Sequence, residues 1–230
     1  KDVRDNRTRS SVHIQFAGLS LQIDTGPDFR TQMLREGLTH VDAVLFTHEH
    51  QDHVAGLDDV RPIIFRVRKE MALYGQQRVL DRIKKAFDYA FKAQPYPGAP
   101  SFTTTSIEAE LAFTINGVEV LPLGINHGNL PILGYRIGDT AYLTDVNDIP
   151  DEAMEQLSGL NYLILDALHR KEHYSHFNLT QAIEWATKIG ARHTYFIHMS
   201  HYMGKHEDVE KELPEGMQLS FDGLRIPVTI

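Results

Sequence analysis

The chain has no cysteine and a single tryptophan in 230 residues. The first absence excludes disulfides and any thiolate metal site within these residues, so only nitrogen and oxygen donors remain for a metal. It fits a cytoplasmic protein. No run approaches the ~20 apolar residues that a membrane span needs, and no secretory leader pattern opens the chain. Basic residues are in deficit, 23 Lys and Arg against 31 Asp and Glu, for a formal charge of −8. Such a surface argues against broad binding to nucleic acid or an anionic membrane. It does not argue against a small anionic substrate. No repeat and no low-complexity tract is visible. With 42% apolar residues the chain is long enough for a substantial core, as one large domain or two small ones.

Histidine is what the chain has in quantity, 13 in all, and it is concentrated. Thr47-His48-Glu49-His50-Gln51-Asp52-His53 follows the apolar run Val41, Ala43, Val44, Leu45, Phe46. A strand ending in this cluster presents several imidazoles and a carboxylate at one sheet edge. Those donors suit Zn, Mn and Fe. A chance solvated loop of this density is far less common than a metal site, and the His-x-His-x-Asp-His order points to two metals.

Elsewhere the pattern alternates between strand and helix signals. Val12, Ile14, Phe16 and Leu19, Leu21, Ile23 predict a hairpin turning at Ala17-Gly18. A short helix is expected over Asp28 to Arg35, stopped by Gly37, and a buried strand over Val41 to Phe46. The helical period of Val79, Leu80, Ile83, Ala86, Phe87, Ala90 and Phe91 predicts a helix from Gln76 to Lys92. The proline-rich loop 94–100 must end it. Asn116-Gly117 and Gly138-Asp139 mark two hairpins. A helix over Pro150 to Leu157, a strand over Tyr162 to Leu165 and a helix with the face Leu179, Ala182, Ile183, Ala186, Ile189 follow. A helix over Glu207 to Glu212 and a last hairpin at Asp222-Gly223 close the chain. The order fits an α/β (αββα) sandwich of two mixed sheets face to face with helices on both outer faces. It reads as a fused pair of ββαβ-type units in a single domain, residues 1–230.

The His48 to His53 segment resembles the signature of the metallo-β-lactamase-fold hydrolases. Asp24-Thr25-Gly26-Pro27-Asp28-Phe29 and Gly56-Leu57-Asp58-Asp59-Val60-Arg61-Pro62 look most like the cyclic-phosphate phosphodiesterases of bacterial phosphonate degradation. The resemblance covers nearly the whole chain. It implies a further strand segment ahead of Lys1. It also implies that His48, His50 and His127 hold one divalent metal, that Asp52, His53 and His198 hold a second, and that Asp145 bridges them. His127, Asp145 and His198 occur in the right order, each at the end of a strand-like run. The implied reaction is hydrolysis of a phosphodiester, a small cyclic one such as phosphoribosyl 1,2-cyclic phosphate, by a hydroxide shared between the metals, with Asp52 part of that machinery. Metals about 3.5–4 Å apart bring the pKa of a bound water toward ~7. Asp24, after Leu21-Gln22-Ile23, is expected to orient a ligand histidine.

Ester cleavage also needs a proton for the departing alkoxide, and histidine suits that task. His169, His173 and His176 follow the strand ending at Asp166. By resemblance to the phosphodiesterases and to tRNA 3′-processing ribonucleases, His176 in Ser175-His176-Phe177-Asn178 is the donor, with His169 or His173 as replacements or phosphate contacts. His201 is as much a surface residue as a substrate contact. His13, His40, His193 and His206 read as structural or solvated. Arg66, Arg68, Lys69 and Tyr96 are weaker substrate-contact candidates. A lactonase or thioesterase, using the same metals on a carbonyl, and a tRNA-processing ribonuclease are the alternative activities, the latter without an evident basic arm. A homodimer is compatible with the sequence.

Overall fold

The structure, a computed structural model, describes residues 2–16 and 18–228. It divides into two compact units: Arg9–Glu108, and Ala109–Ile230 together with Lys1–Thr8. Each has its own sheet and its own core.

In Arg9–Glu108, β1 (Val12–Phe16) and β2 (Leu19–Ile23) form the expected antiparallel hairpin. Gly18 adopts φ +82° in its turn; Ala17 lies outside the described residues. β3 (Ala43–Leu45), β4 (Met71–Gly75) and β5 (Phe102–Ser106) add in parallel, giving the order β1-β2-β3-β4-β5. β2 is buried at every position despite its alternating sequence. Its polar members are satisfied locally: the Ser20 N–H donates to Asp42 Oδ2 at 2.8 Å, and the Gln22 amide to the Asp24 carbonyl at 2.8 Å. The helices are α1 (Phe29–Glu36), α2 (Gln51–Val54), α3 (Arg61–Val67) and α4 (Gln77–Ala86). Gly37 caps α1 at φ +66°. Phe29, Val44, Phe46, Leu57, Ile64, Leu73 and Leu80 are among the core.

Three expectations need correction here. The helix foreseen to Lys92 ends at Ala86, and a 3-10 turn, Asp88–Ala90, follows. Phe87 and Phe91 still pack against the core beyond the break, so the apolar period continues although the helix does not. α3 is additional, begun by Pro62 in its first turn, where a missing N–H costs nothing. β4 and β5 are also additional; β5 is Phe-Thr-Thr-Thr-Ser, a strand by β-branching rather than by apolar alternation.

The other unit carries β6 (Phe113–Ile115), β7 (Val118–His127), β8 (Leu130–Ile137), β9 (Thr140–Leu143), β10 (Tyr162–Asp166), β11 (His193–Ile197) and β12 (Met217–Leu219). Their order is β12-β11-β10-β9-β8-β7-β6, antiparallel from β6 to β9 and parallel from β9 to β12. Asn116 and Gly117 both take positive φ, +48° and +85°, as a two-residue hairpin turn demands. The helices are α5 (Asp151–Glu155), α6 (Leu179–Ile189) and α7 (His206–Glu210). A reciprocal cap between Asn178 and Gln181 starts α6, a device that contributes about 1 kcal/mol. Leu123, Leu143, Leu165, Phe177, Ala182 and Phe196 lie in the core under these elements.

The expected hairpin at Asp222-Gly223 is not a strand pair. Residues 220–228 form a turn and irregular chain, and the last strand among the described residues is β12 instead. Asp222 is engaged otherwise: its carboxylate accepts from the Thr8 N–H at 3.1 Å and from the Thr8 hydroxyl at 2.7 Å. A hydrophobic flank and a turn dipeptide resemble a hairpin, but the side chain serves a distant segment. Both sheets are mixed and both carry helices, which bears out the predicted fold class.

Candidate metal and catalytic residues

In Arg9–Glu108 the candidate ligands emerge from one place. β3 delivers the chain through Phe46 and Thr47 to His48, and α2 holds Asp52 and His53 in its single turn. His48 and His53 are buried, with ring centroids 4.3 Å apart; His50 lies 4.6 Å from His48. Asp52 Oδ2 is 3.7 Å from His53 Nε2 and 3.8 Å from the Arg9 guanidinium.

One carboxylate fixes two of these rings. Asp24 is fully buried and sits at φ +60°, a conformation rarely adopted without glycine. Its Oδ2 accepts from His53 Nδ1 at 2.7 Å and from the Thr47 hydroxyl at 2.8 Å, while its Oδ1 accepts from the Thr47 N–H at 2.9 Å. Because the Thr47 hydroxyl is thus committed as a donor, it accepts from His48 Nδ1 at 3.0 Å. Both imidazoles therefore carry their proton on Nδ1 and a lone pair on Nε2, the state a metal requires. Asp24 orients His53 directly and His48 through Thr47. The loop fits because Gly26 and Gly56 lack side chains: a Cβ on Gly26 would lie 2.2 Å from the Asp52 carbonyl oxygen, and one on Gly56 would lie 2.1 Å from that of Gly26.

In the other unit the candidates come from separate strand ends. His127 ends β7, Asp145 follows β9, and His198 follows β11. The His127 Nδ1 donates to the Ser175 carbonyl at 2.8 Å, which again leaves the lone pair on Nε2. Asp145 Oδ1 lies 3.3 Å from His198 Nε2 and 3.9 Å from His176 Nε2. Asp145 and His198 adopt φ +55° and +60°; with Asp24 they are three of the six non-glycine residues at positive φ among the described residues. Strained backbone of this kind collects where side chains must be aimed.

His176 is buried among these groups. Its Nδ1 donates to Asp166 Oδ2 at 2.9 Å, and its ring stacks on His198 at 5.0 Å and meets His127 at 4.7 Å. Asp166 is fully buried at the end of β10, and burial pushes its carboxyl up from the usual range while the His176 hydrogen bond pulls it down. Sequence reading passed over Asp166 as a functional partner. Its signal was the same as that of Asp24, an acid directly after an apolar run. His127, Asp145 and His176 converge closely enough to share one ion, as do Asp166, His176 and His198.

The remaining candidates divide. His169 and His173 stand 5.8 Å apart, and His173 is 5.1 Å from His176; burial, then the neighbouring imidazoles, holds His173 below its ordinary pKa. His201 is exposed and packs on Tyr202. Arg66, Arg68 and Lys69 are exposed at and beyond the end of α3. The Tyr96 hydroxyl accepts from Arg61 at 3.3 Å. The histidines read as structural behave so: His13 is held by Gln22 and Ser20, His40 by Asp42, His193 stacks on Tyr162, and His206 is buried against Arg7.

A fold with histidines and carboxylates gathered at strand ends in both units defines a class, and comparison with known proteins names it. The chain belongs to the family described as beta-lactamase superfamily domain, which matches residues 21–199, and through it to the metal-dependent hydrolases of the metallo-β-lactamase fold. A crystal structure of a diphosphatase from the PhnP family is 40% identical and superposes with a TM-score of 0.92, covering 100% of this chain and 88% of that one. An octanoyltransferase of Porphyromonas gingivalis is 43% identical over 226 residues, which is 97% of this chain but 46% of that protein. A ribonuclease Z of Methanopyrus kandleri is 43% identical over 54 residues, 23% of this chain and 19% of its own length. The chain thus spans about half the length, or less, of the curated relatives it matches. Among the described residues no helix is long and apolar enough to cross a membrane.

Proposed function

We propose that the chain hydrolyses a phosphodiester or diphosphate bond in a small anionic substrate, with two divalent metals held by residues from both units of a single domain. The family match, which runs across the boundary at Glu108, supports the single domain. His48, His50 and His127 would hold one metal, Asp52, His53 and His198 the other, and Asp145 would bridge. Bound there, such metals supply an activated water near neutral pH and polarise a phosphoryl oxygen. The observation that carries this reading is the tautomer control: His48, His53 and His127 are each fixed with the proton on Nδ1. A chance histidine cluster has no reason for such uniformity. Zinc and manganese both suit the all-nitrogen-and-oxygen set.

His176 is the proton donor in this scheme. Asp166 holds its Nδ1 and so fixes the ring, leaving Nε2 as the nitrogen that would pass a proton to the departing oxygen. A diphosphatase and a ribonuclease Z among the relatives support phosphoryl chemistry. A small cyclic diester and a cytoplasmic location remain part of this proposal. The octanoyltransferase relative supports a second reading, attack on an acyl ester or thioester by the same metals. A screen of metal-reconstituted protein against bis(p-nitrophenyl) phosphate, cyclic phosphates, diphosphates, lactones and an octanoyl thioester separates the two. Elemental analysis of the same protein should approach two first-row metals per chain. Turnover of acyl substrates alone would overturn the phosphodiesterase reading. Asp145→Ala should lose metal as well as rate; full metal retention would remove it from the bridging role.

A further inference from the structure

The loops after β10 and β11 carry rings that the metal and proton chemistry does not use. Tyr174 is 82% exposed and Tyr202 71%, the two most exposed aromatic side chains among the described residues. Neither covers core, yet each is placed. Tyr174 lies against Gly128, next to His127, where a Cβ would meet its ring at 3.5 Å. Tyr202 packs on His201 at 3.9 Å between centroids and stands 6.4 Å from His169.

Imidazoles connect the two tyrosines. From His176 the rings step to His173 at 5.1 Å, and from there to His169 at 5.8 Å and to Tyr174 at 4.9 Å. The Ser175 N–H faces His173 Nδ1 at 3.4 Å, so Nδ1 takes the lone pair and Nε2 carries the proton. That ring has a donor to offer. His169 Nδ1 is buried without a hydrogen-bond partner. Arg170, between them in sequence, is tied to the scaffold by two 2.8 Å bonds to Glu212 and one of 3.0 Å to the Met203 carbonyl. The rim therefore presents flat π faces and ring nitrogens, with its arginine turned to structural use.

We propose that this rim is the leaving-group subsite and that it takes a planar heteroaromatic ring, the base of a small nucleotide, stacked on the face of Tyr174 or, along the same row of imidazoles, on that of Tyr202, with His173 as a hydrogen-bond donor. The assignment rests on His176 as proton donor, because that residue faces the group that departs and the rings extend from it. It goes beyond phosphodiester hydrolysis by requiring a base on the substrate, which a phosphoribosyl cyclic phosphate lacks.

The test is equilibrium binding by calorimetry on the metal-loaded full chain, with AMP, ribose 5-phosphate and inorganic phosphate as probes. AMP should bind about tenfold or more tighter than ribose 5-phosphate, the size expected when one base stacks on aromatic side chains. The double substitution Tyr174→Ala, Tyr202→Ala should bring AMP to the level of ribose 5-phosphate, and the Tyr→Phe pair should keep the preference. Both tyrosines are exposed, so these variants keep the core intact. AMP no tighter than ribose 5-phosphate, or a preference that survives the double substitution, overturns the subsite. Hydrolysis of the nitrophenyl diester without any AMP preference sinks the subsite alone. A tyrosine-dependent AMP preference in a chain that hydrolyses no phosphodiester upholds the rim and sinks the hydrolase reading instead.

Discussion

In Arg9–Glu108, four candidate ligands lie within six residues after one strand, whereas in the other unit they arrive singly from the ends of β7, β9 and β11. Both units place a buried aspartate behind their histidines. Asp24 reaches His53 directly and His48 through Thr47; Asp166 reaches His176 at 2.9 Å and faces His198 Nδ1 at 3.7 Å. The crowded loop concentrates control of His48 and His53 in a single carboxylate, so those two rings stand or fall together. The distributed set has separate supports, since His127 is held by the Ser175 carbonyl and not by Asp166. The lesson is that equal chemistry can rest on very unequal coupling between residues.

The largest expected effect tests whether a residue of the distributed set can be removed alone. His176→Ala should cost about 10²–10⁴-fold on a sugar or alkyl diester, the usual worth of a positioned acid. The loss should be far smaller on a nitrophenyl diester, whose leaving group needs no proton, and metal content should not change. Equal losses on both substrates would remove His176 from the acid role and point to His173 or His169.

Next comes the paired comparison of the two aspartates. Asp24→Asn should weaken metal binding about 10–100-fold, as loss of an orienting carboxylate does. Asp166→Asn should instead reproduce a weaker form of the His176→Ala pattern across leaving groups. Metal titrations showing the same affinity loss in both variants would erase the distinction drawn between the units.

A smaller effect concerns packing. Gly26→Ala puts a Cβ 2.2 Å from a backbone oxygen in the crowded loop, where neither partner is a flexible side chain. Chemical denaturation should show a loss of about 1–3 kcal/mol, the range for overpacking. Gly117→Ala meets nothing within 4 Å but sits at φ +85°, so its cost is that of the turn alone. A Gly26→Ala protein as stable as the parent would show that the loop has slack.

The smallest effect is on pH. Burial, then Arg4, holds His206 below its ordinary value of 6.5. A base depressed in the folded state is neutral there and takes up protons on unfolding, so stability is fully present above about 6.5 and declines as pH falls below it. His206→Gln should flatten part of that decline in thermal melts. An unchanged slope would place the acid sensitivity elsewhere, His13 and His173 being half-buried histidines that are also held low.

The contrast between units also decided what could be read in advance. The His48 to His53 loop was legible because all its chemistry is contiguous, and the hairpins at Asn116-Gly117 and Gly138-Asp139 were legible because their turns carry local signals. Asp166 was overlooked because its partner His176 is ten residues away, across a loop, and one acid after an apolar run is commonplace. β5 escaped because threonines mark an exposed edge strand no more loudly than a loop. The end of α4 was misjudged because the apolar period continues through Phe87 and Phe91 while the backbone changes course. Where side chains answer to a neighbour in sequence, reading succeeds; where they answer to the fold, it needs the fold.

The bonds from Thr8 to Asp222, together with the 2.7 Å bond from the His206 N–H to Asp5, join parts of the chain more than 200 residues apart. Arg9–Glu108 is thereby nested within the sequence of the unit that its flanking residues build. During synthesis the nested unit can close as soon as its own residues have left the ribosome. Residues 2–8 must wait, unclaimed, until Asp222 and α7 emerge to receive them. A chain stopped short of Asp222 should therefore show residues 2–8 open to protease while Arg9–Glu108 resists it.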